Sequence, residues 1–210
     1  MDSFQTLSPE LRIQILVCLH DCIPSAIKAS PVLLATYQAN KNYIRRRFYE
    51  QEFDKEMMQD ALAIAQFPTL EAHERLMSPP IKQHAKRWLS QDFAYPKQDD
   101  SAILVSFDKL HRDIRRLTKE ALSEPGAGGT FKLACFSQHH RAQHGTIYKL
   151  IRLPTRISVV DELSSHARKQ FYQVFLRRKF IDAFMVYAKS PREAVQFNRM
   201  LLNDKKDAQE

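Results

Sequence analysis

The chain reads as an all-α protein, on three observations. It has four glycines in 210 residues, well under the roughly 7% of average usage, so it lacks the tight-turn residues that sheets need. Four of its ten prolines directly follow a serine, at Ser8-Pro9, Ser30-Pro31, Ser78-Pro79 and Ser190-Pro191. Serine caps the free N–H groups of a helix start, and proline suits the first helical position because its missing N–H has no partner there anyway. Finally, Ile103, Phe107, Leu110, Ile114, Leu117 and Ala121 recur at helical spacing, which lays one apolar stripe along an amphipathic helix.

In chain order, the first helix is expected from Pro9 to about Leu19. Leu11, Ile13, Ile15, Leu16, Val17 and Leu19 make it apolar on nearly every side, so it must bury more than one face. A short helix follows Pro24, and another runs from Pro31 to about Gln38. Asn40 is placed to cap a long helix through Gln66, with Ile44, Phe48, Phe53, Met57, Ala61 and Ile64 on its apolar side. Pro68 ends it. Helical pieces at 69–77 and 81–90 flank Ser78-Pro79-Pro80, residues 91–100 form a loop, and 101–122 is the cleanest helix in the chain. Gly126, Gly128 and Gly129 make the one flexible linker, near 124–130. Thr146 to Leu153 alternates weakly, a pattern that a strand also shows. From Ser158 to about Lys189, Val160, Ala167, Val174, Ile181 and Ala188 recur every seven residues as a long helix, and a last short helix follows Pro191.

Composition narrows the class. A 44% hydrophobic and 27% charged chain is neither disordered nor a disulfide mini-protein, and at this length it buries roughly 70% of its unfolded surface. Its net charge of +8 is uneven, with 12 basic and 13 acidic side chains in residues 1–100 against 20 and 11 in residues 101–210. A basic half raises nucleic acid, acidic lipid or an acidic protein as partners. Three cysteines make no secreted framework and suit the cytoplasm or nucleus. The start lacks a signal core, and no apolar run approaches the ~18 residues of a membrane span.

Few constellations carry chemistry. Cys135, His139, His140 and His144 are at helical spacing, but structural zinc wants four ligands and no second cluster supplies them cleanly. Cys18 and Cys22 read as small buried hydrophobes. The glycine patch lacks the Gly-Lys-Ser/Thr ending of a phosphate loop. No paired carboxylates or nucleophile motif stands out, so neither an enzyme, a cofactor nor a metal is expected. Lys109, Arg112, Arg116 and Lys119 share a stripe of the 101–122 helix, and Arg45-Arg46-Arg47 and Arg177-Arg178-Lys179 are further basic runs. Such stripes bind phosphates in a salt-dependent way or simply face solvent.

The run from Phe4 to Leu19, with Leu7-Ser8-Pro9-Glu10-Leu11 followed by an Ile/Leu-rich helix, resembles the opening of an F-box. Ala26 to Tyr37, with Ala29-Ser30-Pro31 inside it, looks like the second half of fungal F-box-like domains. The resemblance covers about residues 4–50. It departs from the family at Ser8, where a proline is usual, and in having no closing tryptophan, since Trp88 stands far away. It implies a three-helix unit at 1–50, which leaves 51–210 as the α-helical body on which it packs, with the glycine linker as a hinge near 124–130. It also implies that Leu7, Pro9, Leu11, Ile15 and Leu16 contact a Skp-family adaptor, which links the chain to a cullin-type ubiquitin ligase. The body would then hold a protein substrate, acidic if Lys109, Arg112, Arg116 and Lys119 meet it. The alternatives are a basic helical nucleic-acid-binding protein and a helical scaffold without ligase function.

Overall fold

The structure is a computed structural model of the whole chain, and it describes residues 2–69, 78–97, 100–123, 131–134, 148–151 and 164–185. The fold is all-α. Among the described residues, seven helices run in the order α1 (Pro9–Cys18), α2 (Ile23–Ala29), α3 (Pro31–Glu52), α4 (Lys55–Ala65), α5 (Pro79–Leu89), α6 (Ser101–Ser123) and α7 (Ser165–Met185). A 3-10 turn at His20–Cys22 joins α1 to α2. One short antiparallel ladder pairs β1 (Phe131–Ala134) with β2 (Tyr148–Ile151), in the register Phe131 with Ile151. β2 lies in the stretch where the alternation left strand and helix open. No helix among the described residues is long and apolar enough to cross a membrane. The expected pieces at 69–77 and after Pro191, the linker near 124–130 and the Cys135–His144 cluster lie outside the described residues.

The chain divides into two compact units. The first takes in residues up to Asp54 and again Tyr95–Phe107, and the second Lys55–Ala94 and the residues from Asp108 onward. The first unit is therefore not closed by residues 1–50 alone. Its inner side is built from Leu16, Val17, Ile23, Leu33 and Ile44, with Phe4, Ile13, Ile27, Tyr37 and Phe48 packed around them. Phe107, from the later segment, meets the ring of Tyr49 at 5.2 Å and that of Phe53 at 6.2 Å. These rings add an aromatic cluster to the interior of the first unit. Burying one such large side chain contributes about 1.5–3 kcal/mol.

The serine–proline starts behave in two ways. Ser8 caps α1 by accepting from the Leu11 N–H at 3.4 Å, and Ser30 caps α3 by accepting from the Leu33 N–H at 3.1 Å. Ser78 occupies the cap position of α5, yet its side chain makes no cap bond. Asn40 does not start a helix. It sits at a kink inside α3 with φ −126° and ψ 20°, and its Nδ2 donates to the Thr36 carbonyl at 3.0 Å. A side-chain donor that occupies a helical carbonyl locally bends the ladder. The helix expected to run on to Gln66 is also broken at Phe53, whose backbone is extended and whose ring is buried. Gain from packing that ring beside Tyr49 outweighs helical continuity.

In the second unit α4 packs against α7. Met57, Met58, Ala61 and Leu62 of α4 and Phe171, Tyr172, Phe180 and Phe184 of α7 are buried. The heptad positions Ala167 and Ile181 are only half-buried, because the aromatics of α7 take the interior. At the end of α5, Gln91 has φ 53°. The Asp92 N–H reaches the Arg87 carbonyl at 2.9 Å and the Gln91 N–H reaches that of Trp88 at 3.1 Å, a helix stop of the Schellman type, in which glycine is the usual left-handed residue.

Candidate functional site

α1 begins at Pro9 because Ser8 caps it, and its 3.6-residue turn sorts its side chains onto two sides. Leu16 and Val17 point inward, and Leu16 is 0% exposed. Leu11 is 48% exposed, Ile15 is half-buried, and Cys18 follows at the surface. These three, spaced four and three residues apart, form a single outward stripe. Leu19, just past the helix, and Cys22 continue the exposure. The expected burial of Cys18 and Cys22 is therefore corrected: both thiols are exposed, because they extend the outward stripe rather than the inward one.

Of the five residues that the resemblance assigns to adaptor contact, four lie at or near the surface. Pro9 and Leu11 are exposed, and Leu7 and Ile15 are half-buried. The fifth, Leu16, is a core residue of its own unit and has no surface to offer. α1 thus carries apolar side chains on both its inward and its outward side.

The segment before α1 is tied down by two contacts that sequence reasoning missed. The Arg12 guanidinium donates to the Leu7 carbonyl through both Nε, at 2.9 Å, and Nη2, at 2.8 Å. The Asp2 carboxylate accepts from the Ser30 hydroxyl, the Phe4 N–H and the Val32 N–H. Those donors, the Ser30 hydroxyl first, hold the Asp2 carboxyl below its ordinary value. Asp2 thereby neutralises free N–H groups at the start of α3. The bonds from Asp2 to Ser30 and Val32 join residues 28 and 30 positions apart, which no local pattern links.

The basic residues form a different surface. Lys109, Arg112, Arg116 and Lys119 are all exposed on α6. Arg116 pairs with Glu120 at 2.6 Å, and Arg112 Nε donates to the Asp108 carbonyl at 3.3 Å. The other two basic runs are neutralised. Arg45 is buried, Arg46 packs over the Tyr43 ring and lies 3.6 Å from Glu50, and Arg47 pairs with Glu50 at 2.9 Å. Arg177 pairs with Glu56, Arg178 with Asp182 and Lys179 with Asp113. Exposed ion pairs are weak, but they blunt the positive field on which phosphate binding depends.

The second unit also holds buried polar groups. Asp60 of α4, with 5% of its side chain exposed, accepts from Trp88 Nε1 at 2.7 Å and lies 3.4 Å from Arg177 Nε. Burial pushes its carboxyl up to about 6, against the opposing pull of the Trp88 N–H and the Arg177 charge. His84 shares its Nε2 with the Ala63 carbonyl at 2.8 Å. A carbonyl only accepts, so that nitrogen carries the proton. The ring is flanked by Phe67 and Phe93, and burial lowers its pKa. Gln59 pairs with both backbone groups of Phe93 at 3.0 Å, as a strand would. Each of these groups has a structural partner, and together they bind α4, α5, α7 and the loop after α5 into one unit. Compared with known proteins, the chain matches no family model, no curated protein and no solved structure.

Proposed function

We propose that the chain is an F-box-like adaptor. In this reading Leu7, Pro9, Leu11 and Ile15 engage a Skp-family protein, and through it the chain brings a protein substrate to a cullin-type ubiquitin ligase. The supporting observation is the two-sidedness of α1: Leu16 is wholly interior while Leu11, five residues earlier, is half exposed. An exposed apolar stripe on a helix whose other side is already satisfied is what a helix-to-helix interface uses. The substrate meets the other unit, and the exposed stripe of Lys109, Arg112, Arg116 and Lys119 selects an acidic one. Nucleic acid is less favoured, because the two other basic runs are occupied by carboxylates.

Calorimetry of the full chain with a purified Skp-family adaptor tests the reading. Wild-type chain binds, and Leu11→Asp and Ile15→Asp each remove the heat of binding while leaving the melting temperature within a few degrees. A folded wild-type sample that gives no heat overturns it. A salt series separates the alternatives: adaptor binding changes little between low and moderate salt, whereas phosphate binding falls steeply.

A further inference from the structure

Three serine–proline pairs lie among the described residues, and their hydroxyls are in different states. Ser30 is 1% exposed, caps α3 and donates to Asp2. Ser78 Oγ is shut away from solvent and makes no hydrogen bond. Ser8 is exposed, its backbone is extended with φ −64° and ψ 154°, and its hydroxyl accepts from the Leu11 N–H at a long 3.4 Å. An extended, accessible serine followed by proline is the substrate form that proline-directed protein kinases accept.

We propose that Ser8 is a phosphorylation site for a proline-directed kinase, and that the modification switches off the outward face of α1. This rests on the adaptor reading above. In the step itself Ser8 Oγ bonds to the γ-phosphorus of ATP, the bond from that phosphorus to the β-bridging oxygen breaks, and ADP leaves. The hydroxyl proton passes to the kinase's base and on to solvent.

The surroundings dictate the consequence. The phosphate arrives between Leu7 and Pro9, two of the surface residues of the apolar face. The Ser8 hydroxyl is also one of the groups that hold the Glu10 carboxyl below its ordinary value, after Glu10's own N–H. Phosphorylation replaces that donor with a near-dianion beside an existing carboxylate. Arg12, the basic residue of the first turn, is committed through two nitrogens to the Leu7 carbonyl. The helix itself survives, since negative charge at its N-terminus is favourable. What is lost is the apolar character of the contact, because an unpaired charge resists transfer from water into an interface.

The experiment uses the full chain, ATP and a purified proline-directed kinase, with site mapping by mass spectrometry and then calorimetry against a Skp-family adaptor. Phosphate is expected on Ser8 in preference to Ser30 and Ser78, and the phosphorylated chain binds the adaptor at least ~100-fold more weakly than the unmodified chain. Ser8→Glu moves affinity in the same direction, and Ser8→Ala, which loses only the long cap bond of α1, weakens binding far less than phosphorylation does. A chain modified at Ser30 or Ser78 but not at Ser8 overturns the site. A Ser8-phosphorylated chain that binds as well as the unmodified one overturns the switch. Failure of the unmodified chain to bind removes the adaptor reading and the switch with it, while the mass spectrum still decides the site.

Discussion

The two units differ in what they bury and in what they leave outside. In the first, the aliphatic cluster around Leu16 is joined by the rings of Tyr49, Phe53 and Phe107, Ser30, Thr36 and Arg45 are buried, and some leucine is left outside, as at Leu11 on α1 and Leu34 on α3. In the second, the interior is aromatic and polar groups are taken inside, as at Gln59, Asp60 and His84. A single exposed leucine is ordinary, but a contiguous outward apolar stripe such as Leu11 and Ile15 with Cys18 is what association uses. A buried carboxylate or imidazole lowers the margin of stability unless every partner is aligned, and its natural use is a unique packing. On this contrast the partner surface proposed above lies on α1 of the first unit, and the second unit is the more finely specified fold.

Truncation of the inward side of α1 breaks the contrast most severely. Leu16→Ala removes a wholly buried side chain and costs about 2–5 kcal/mol, seen as a drop in the denaturant midpoint. Leu11→Ala, on the outward side of the same helix, changes that midpoint by less than about 0.5 kcal/mol. Equal losses at the two positions would mean that α1 has no outward face.

Asp60 gives the next largest effect, and it depends on pH. Its carboxyl titrates at about 6 in the fold against an ordinary 3.8, so the folded chain holds a proton that the unfolded chain has released. Stability from this group is present at low pH and is lost as pH rises from about 4 through 6, by about 3 kcal/mol in all. Asp60→Asn removes that dependence. The difference in unfolding free energy between wild type and Asp60→Asn, measured at pH 4.5 and at pH 8, should move in favour of wild type at the lower pH. A difference that is flat with pH contradicts the buried, charge-disfavouring site.

Smaller effects sharpen the picture at the helix ends. Ser30→Ala loses the cap of α3 and the partner of Asp2, and costs about 1–2 kcal/mol in thermal unfolding. Ser78→Ala, at a cap position where the hydroxyl bonds nothing, costs less than about 0.5 kcal/mol. Gln91→Gly relieves a side chain held at positive φ and raises stability by up to about 1 kcal/mol. Smallest of all, charge reversal at Lys109, Arg112, Arg116 and Lys119 leaves stability within about 0.5 kcal/mol per site. Its effect appears instead in substrate capture, which should weaken with salt and with the reversals. Capture insensitive to both would remove the α6 stripe from the account.

What the sequence revealed follows from the range of each interaction. The caps at Ser8 and Ser30 and the helix α6 were legible, because a cap or an amphipathic stripe is written within a turn or two of chain. The break at Phe53 was not, since only the buried position of that ring, beside Tyr49 and Phe107, decides it. Ser78 looks like Ser8 and Ser30 in sequence, and only its surroundings distinguish it. At the candidate site, the all-round apolar character of α1 was legible, but its division was not. Leu11 and Leu16 are equally apolar as letters, and only the packing of Val17, Leu33 and Ile44 around Leu16 shows which side is spent. The Asp60–Trp88 bond joins residues 28 positions apart, beyond any local pattern.

Hydrogen–deuterium exchange of the full chain, with and without a saturating Skp-family adaptor, tests the outward face of α1 most directly. The account predicts added protection in peptides covering Leu7 to Leu19, with α4 and α7 unchanged. Binding that protects α6 or α7 and leaves Leu7 to Leu19 exchanging as before would contradict it.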